Sequence, residues 1–148
     1  MPAAAGDIGK TAGFVEISVG VAASTTITKG EVVAFDAGGD CITATSAINV
    51  AITGRGVALE TVDNSAGADG DLKVRICIAG QVYVVAGATI ESNEGLQVDA
   101  TAGRVGPATI GATVEWNKHL AAFYVGKAAT ETDTAAAADN DIILVRLL

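Results

Sequence analysis

Basic residues are scarce in this chain, histidine is nearly absent, and aromatic side chains are few. Nine Lys and Arg stand against 17 Asp and Glu, a formal charge of −8, with an isoelectric point near 4.4. Nucleic-acid binding needs a basic footprint, so that class is excluded. The same acidity excludes docking on anionic membranes, and no stretch approaches the ~18 uninterrupted apolar residues of a membrane span. One histidine and two cysteines without close spacing give no zinc signature. Gly-x-Ser-x-Gly, P-loop and dinucleotide fingerprints are all missing. With only 4% aromatic residues but 50% apolar ones, the core has to be built from Val, Ile, Leu and Ala.

What remains describes a small folded domain. A chain of 148 residues hides roughly two-thirds of its unfolded surface and holds a core without staples. A mean hydropathy of +0.45 and 18% charged residues exclude disorder of the whole chain. The start, Met1-Pro2-Ala3-Ala4-Ala5-Gly6-Asp7, has neither the basic opening nor the apolar core of a signal peptide, which predicts synthesis in the cytosol. Cys41 and Cys77 are expected to stay reduced there and to act as small hydrophobes.

Residues 1–13 are small, polar and interrupted by Gly6, Gly9 and Gly13, and are expected to form an N-terminal arm or tail. From Phe14 to Leu148 the chain reads as one β domain. Short β-branched runs predict strands at Phe14–Val21, Val32–Phe35, Ile42–Thr45, Arg55–Leu59, Leu72–Ile78, Gln81–Val85, Leu96–Val98, Ala122–Val125 and Ile142–Leu147. Gly, Asp, Asn and Ser clusters between them supply turns. Leu72–Ile78 and Gln81–Val85, separated by Ala79-Gly80, have the spacing of a β-hairpin. Helical patterning is weak, with Val114–Ala122 and Ala135–Ala138 its best instances.

The chain also echoes itself. Gly56-x-Ala58 returns as Gly126-x-Ala128, and at the same spacing Ala68-Asp69-x-Asp71 returns as Ala138-Asp139-x-Asp141. Asp36-Ala37 is echoed by Asp99-Ala100. Two diverged copies, about 25–78 and 88–148, are therefore expected. Packed together, they predict an all-β fold, a small antiparallel barrel or sandwich, which removes exposed sheet edges.

Candidate chemistry is thin. His119 with Cys41 or Cys77 makes a dyad on paper, but a surface histidine near Trp116 is the simpler expectation. Asp63, Asp69 and Asp71 offer oxygens to a cation, but they lack the spaced ligands and closing Glu of an EF-hand loop. Asp and Gly before a strand also serve a solvated turn. No enzyme and no cofactor are expected. An enzyme would have to use Asp69, Asp71 or His119, and a glycan- or receptor-binding module would use Trp116 and Tyr124.

Three segments carry a resemblance: Ile27-Thr28-Lys29-Gly30-Glu31-Val32-Val33-Ala34-Phe35-Asp36; Gly56-Val57-Ala58-Leu59-Glu60 running to Asp71-Leu72-Lys73-Val74-Arg75-Ile76; and Ala79-Gly80-Gln81-Val82-Tyr83-Val84. With the ending Val125–Ala128 and Asp141–Leu148, they resemble the capsid decoration (cement) proteins of tailed viruses. The likeness spans most of 14–148, and Thr109–Leu120 departs from it. The resemblance implies a virion protein on the outer surface of an icosahedral capsid. It would bind the major capsid protein as a homotrimer and brace the shell against packaged DNA. Ala3, Ala4, Ala5, Ile8, Lys10, Phe14 and Trp116 are then the expected contact residues, with the arm adding to a neighbouring sheet edge.

Overall fold

In a computed structural model the described residues are 3–9, 13–46, 54–91, 95–108, 119–127 and 137–148. They contain strands and no helix. Both weak helical candidates fall partly outside them; the described part of Val114–Ala122 belongs to a strand, and Ala137 of the other makes a β-bridge with Ile90. The strands are β1 (Val15–Gly20), β2 (Thr25–Ile27), β3 (Val32–Phe35), β4 (Cys41–Thr43), β5 (Arg55–Ala58), β6 (Val62–Asn64), β7 (Lys73–Val85), β8 (Gly95–Val98), β9 (Val105–Pro107), β10 (His119–Lys127) and β11 (Ile142–Leu147).

The order β4-β3-β5-β7-β11-β10-β8-β9 forms one sheet with β1 added beside β7, while β2 and β6 make a separate ribbon. Every ladder between these strands is antiparallel. Read from its ends inward, the order has one plan: β4-β3-β5-β7 on one side and β9-β8-β10-β11 on the other. Val32 and Ala34 of β3 share a buried cluster with Leu96 and Val98 of β8. Strands so far apart in the order meet only if the sheet folds back on itself as a sandwich around an aliphatic core. Gly103 accepts from the Val32 N–H and donates to the Ala44 carbonyl, both at 2.9 Å, tying the far ends without a closing ladder. The fold is all-β, and it is not a closed barrel.

Alternation divides the side chains as a period of two requires. On β3, Val32 and Ala34 enter the large core while Val33 enters a second, smaller cluster with Val21, Ile27, Cys41, Ala58, Val74 and Ile76. Ile27 of the β2–β6 ribbon helps to roof this outer cluster. The first half is thus buried on both faces.

The hairpin expected at Ala79-Gly80 is absent: β7 runs without a turn through 13 residues. Its first half lies between β1 and β5, which pair with its two edges. Its second half pairs with β11 on one edge, and Ile8 bridges to Val82 on the other. Each run therefore finds better partners than the other run. Gly80, at φ +103°, supplies the irregularity between them. The β1 register shifts at the adjoining Val15/Glu16 step. Even-numbered Val74 and Ile76 face the outer cluster before this point, and even-numbered Val82 and Val84 face the large core beyond it. One extra residue inverts the parity of a strand in this way. A Cβ at Gly80 would stand 2.7 Å from the Phe14 Cα, so no side chain fits.

Candidate functional site

Two copies of one turn frame the best candidate. In Ala68–Asp71, the Asp71 N–H bonds the Ala68 carbonyl at 3.2 Å, and Asp71 Oδ2 accepts from the Ala68 N–H at 2.9 Å. In Ala138–Asp141 the same two bonds measure 3.1 Å and 2.8 Å. The third residue has positive φ in both, +74° at Gly70 and +70° at Asn140, the backbone of a type II turn. The Gly70 N–H donates to the Val21 carbonyl and the Asn140 N–H to the Ala86 carbonyl. Ala4–Asp7 repeats the turn a third time, with Asp7 Oδ2 2.8 Å from the Ala4 N–H and Gly6 at φ +83°.

The 36–40 turn reaches the first of these turns. Asp36 Oδ1 accepts from the N–H groups of Gly38 and Asp40, each at 2.9 Å. Asp69 Oδ1 accepts from the Ala23 N–H at 2.7 Å. One carboxylate oxygen each from Asp36, Asp40 and Asp69 lie within 4.8 Å of one another. Burial first, then the charges of Asp69 and Asp36, raise the Asp40 carboxyl above its ordinary value of 3.8. The spacing read from sequence grouped Asp69 with Asp63 and Asp71, and the structure groups it with Asp36 and Asp40 instead. Asp71 caps its own turn. Asp63 accepts from Thr26 Oγ1 and the Ser65 N–H, both at 3.0 Å. The Ser65 bonds, and then that to Thr26, hold its carboxyl below the ordinary value.

The expected contact residues lie elsewhere. Ala4 and Ile8 are exposed, Ala3 and Ala5 half-buried, and Phe14 packs partly buried against the large core. Lys10 and Trp116 lie outside the described residues. The arm residues 3–9 lie along β7: Gly6 donates to the Tyr83 carbonyl at 2.6 Å, Tyr83 to Asp7 at 2.9 Å, and Gly9 to Gln81 at 3.0 Å. Asp7 also pairs with Lys29 Nζ at 2.8 Å, which holds its carboxyl below the ordinary range. Gly6 and Gly9 are needed for this fit rather than for looseness. A Cβ on Gly6 would stand 2.5 Å from Lys29 Cγ, and one on Gly9 2.7 Å from Leu144 Cδ1.

Other candidates lose their chemistry to burial. Tyr124 is 1% exposed, so it cannot meet a glycan, and that expectation is corrected. Cys41 and Cys77 are buried and free. Burial, then Glu31, pushes the Cys41 thiol up to about 12, and burial raises Cys77 as well. Neither suits a nucleophile. His119 opens β10 opposite Gln97.

Arg55 carried no signal in its Gly-Arg-Gly setting, but the structure makes it a clamp. Its guanidinium donates to the carbonyls of Leu120 and Leu148, each at 2.7 Å, and to that of Ile78. It thereby ties β5 and β7 to the second half. Burial lowers its pKa.

No protein-family model and no curated protein sequence matches the chain. Among solved structures, it is similar to the head fiber gp8.5 N base of bacteriophage phi29. The TM-score is 0.54 at 16% identity, covering 90% of this chain and 95% of that one. The likeness is one of fold, and it extends over nearly the whole of both chains.

Proposed function

We propose that this chain is a structural protein of a tailed-virus virion. It binds the outer surface of the capsid as a homotrimer and braces the shell through contacts with the major capsid protein. The observation that carries this reading is the whole-length fold likeness to a phage head fiber base. The chemistry agrees with it. Asp71 and Asp141 cap their own turns, and the two thiols are buried with raised pKa values. Repeated weak contacts across a lattice retain such a subunit without a deep pocket.

Phe14 and the arm present a fitted segment beside an exposed apolar strip on β1, where Val15 and Ile17 are 45% and 37% exposed. Shells lacking the protein, mixed with the purified chain, should take it up to a fixed occupancy at sites of threefold symmetry. Failure to bind such shells, or binding as isolated dimers, would contradict the proposal.

A further inference from the structure

We propose that the open edge of β1 takes an added strand from the major capsid protein, an extended segment with a Lys or Arg near one end. The inference rests on the capsid reading above and names the surface that makes the contact.

Both ends of the strand order are covered. A bridge between Val21 and Cys41 closes off β4, and one between Ala86 and Val105 closes off β9. Among the described residues, β1 pairs with β7 on one side, and no strand lies on its other side. The direction of its backbone groups follows from its neighbours. The Arg75 carbonyl accepts from Leu59 on the β5 side, so Val74 and Ile76 turn their groups towards Val19 and Ile17 of β1. The N–H and C=O groups of Glu16 and Ser18 therefore point away from the sheet.

Proteins blunt such an edge with proline or with several charges. β1 has no proline, and its single charge, Glu16, is engaged by Arg75 at 3.5 Å. Ile17 shares a face with Val19, which packs against the outer cluster, and is itself exposed. An incoming strand extends this apolar face and satisfies the two outward backbone positions.

Charge beside the edge selects the occupant. The last residue of β1, Gly20, adjoins the acidic corner: a Cβ there would lie 3.0 Å from Asp40 Oδ1. With Asp36 and Asp69 grouped around Asp40, that end of the edge attracts a basic segment. A second copy would bring its own acidic corner and a charge of −8, and is repelled.

The test compares hydrogen exchange in the full chain, free and bound to shells lacking it. Binding should slow the amides of Glu16 and Ser18 by about 10-fold or more. Asp40→Lys should weaken shell binding by about 5–10-fold, while Asp63→Asn, outside the corner, should leave it unchanged. Ser18→Pro removes an outward N–H and should weaken binding at least ~10-fold. Ile17→Thr keeps a strand-forming residue and should weaken it about 3-fold, which covers failure of the proline variant to fold. Shell binding that leaves both amides unprotected overturns this inference and leaves the capsid reading standing, whereas no shell binding overturns both. Full protection in the free protein would assign the edge to a second copy and overturn the inference as well.

Discussion

At the turn before the last strand of each half, glycine stands in one copy and asparagine in the other: Gly70 at φ +74° and Asn140 at φ +70°. At the adjoining hairpin, the first half has Asp40 where the second has Arg104, which bonds Asn140. One backbone plan therefore carries two electrostatic solutions. Two copies of a turn-and-hairpin corner can share their framing main-chain bonds, Gly70 to Val21 with Asn140 to Ala86 and Asp36 to Asp40 with Asp99 to Arg104, and still differ in what closes them. The backbone bonds set the fold, and the side chain at one hairpin position sets the charge of the corner.

The halves also differ where they join. The largest expected effect comes from breaking that junction at Gly80→Val, which places a side chain where a Cβ would lie 2.7 Å from Phe14 Cα at φ +103°. A loss of ~3 kcal/mol or more is expected in denaturant unfolding. Arg55→Met follows: it leaves the carbonyls of Ile78, Leu120 and Leu148 without their charged donor. The same measurement should show a loss of about 2–4 kcal/mol.

Exchanging the turn residues sharpens the comparison. Gly70→Asn should destabilise the protein by roughly 0.5–1 kcal/mol, because φ is positive there. Asn140→Gly relieves a similar φ but removes the acceptor of Arg104, so it should be near neutral; a stabilisation equal and opposite to the Gly70→Asn loss would contradict a contribution from that bond.

The smallest effect is in pH. The Asp40 carboxyl is raised above 3.8 beside Asp36 and Asp69, so the folded state holds its proton more tightly than the unfolded state does. Its contribution is fully present below 3.8 and is lost as pH rises through the folded value. Asp7 and Asp63 act in the opposite sense. Their folded values are depressed, so their contributions hold above 3.8 and fade as pH falls through those values. Asp40→Asn should gain stability relative to wild type as pH rises from about 4 to 7, while Asp63→Asn should be less stable than wild type above 3.8 and close that gap as pH falls below it. Parallel profiles would contradict the assignment.

Local chemistry was the legible part of the sequence. Alternation placed Val32–Phe35 and Ile142–Leu147 correctly, and the Ala-Asp-x-Asp echo marked turns whose bonds match. Spacing failed where the partner was distant. Ala79-Gly80 has hairpin chemistry, but β1, β5, β11 and the arm outcompete self-pairing of the two runs. The 70-residue echo does not extend to strand register. Val57 faces Cys77, but Lys127 faces Ile143. Arg55 was illegible because its three acceptors are backbone atoms far away in sequence. The Asp40 corner does have a signal in the sequence: aligning Asp36 with Asp99 sets Asp40, four residues on, against Arg104, five residues on.

Placement in the virion is tested most directly by electron microscopy of particles purified from the source. A folded-back sheet of this strand order, in density on the outer shell at threefold or quasi-threefold positions, is the predicted result. Shells that carry no such density, with the chain recovered only in the soluble fraction, would contradict it.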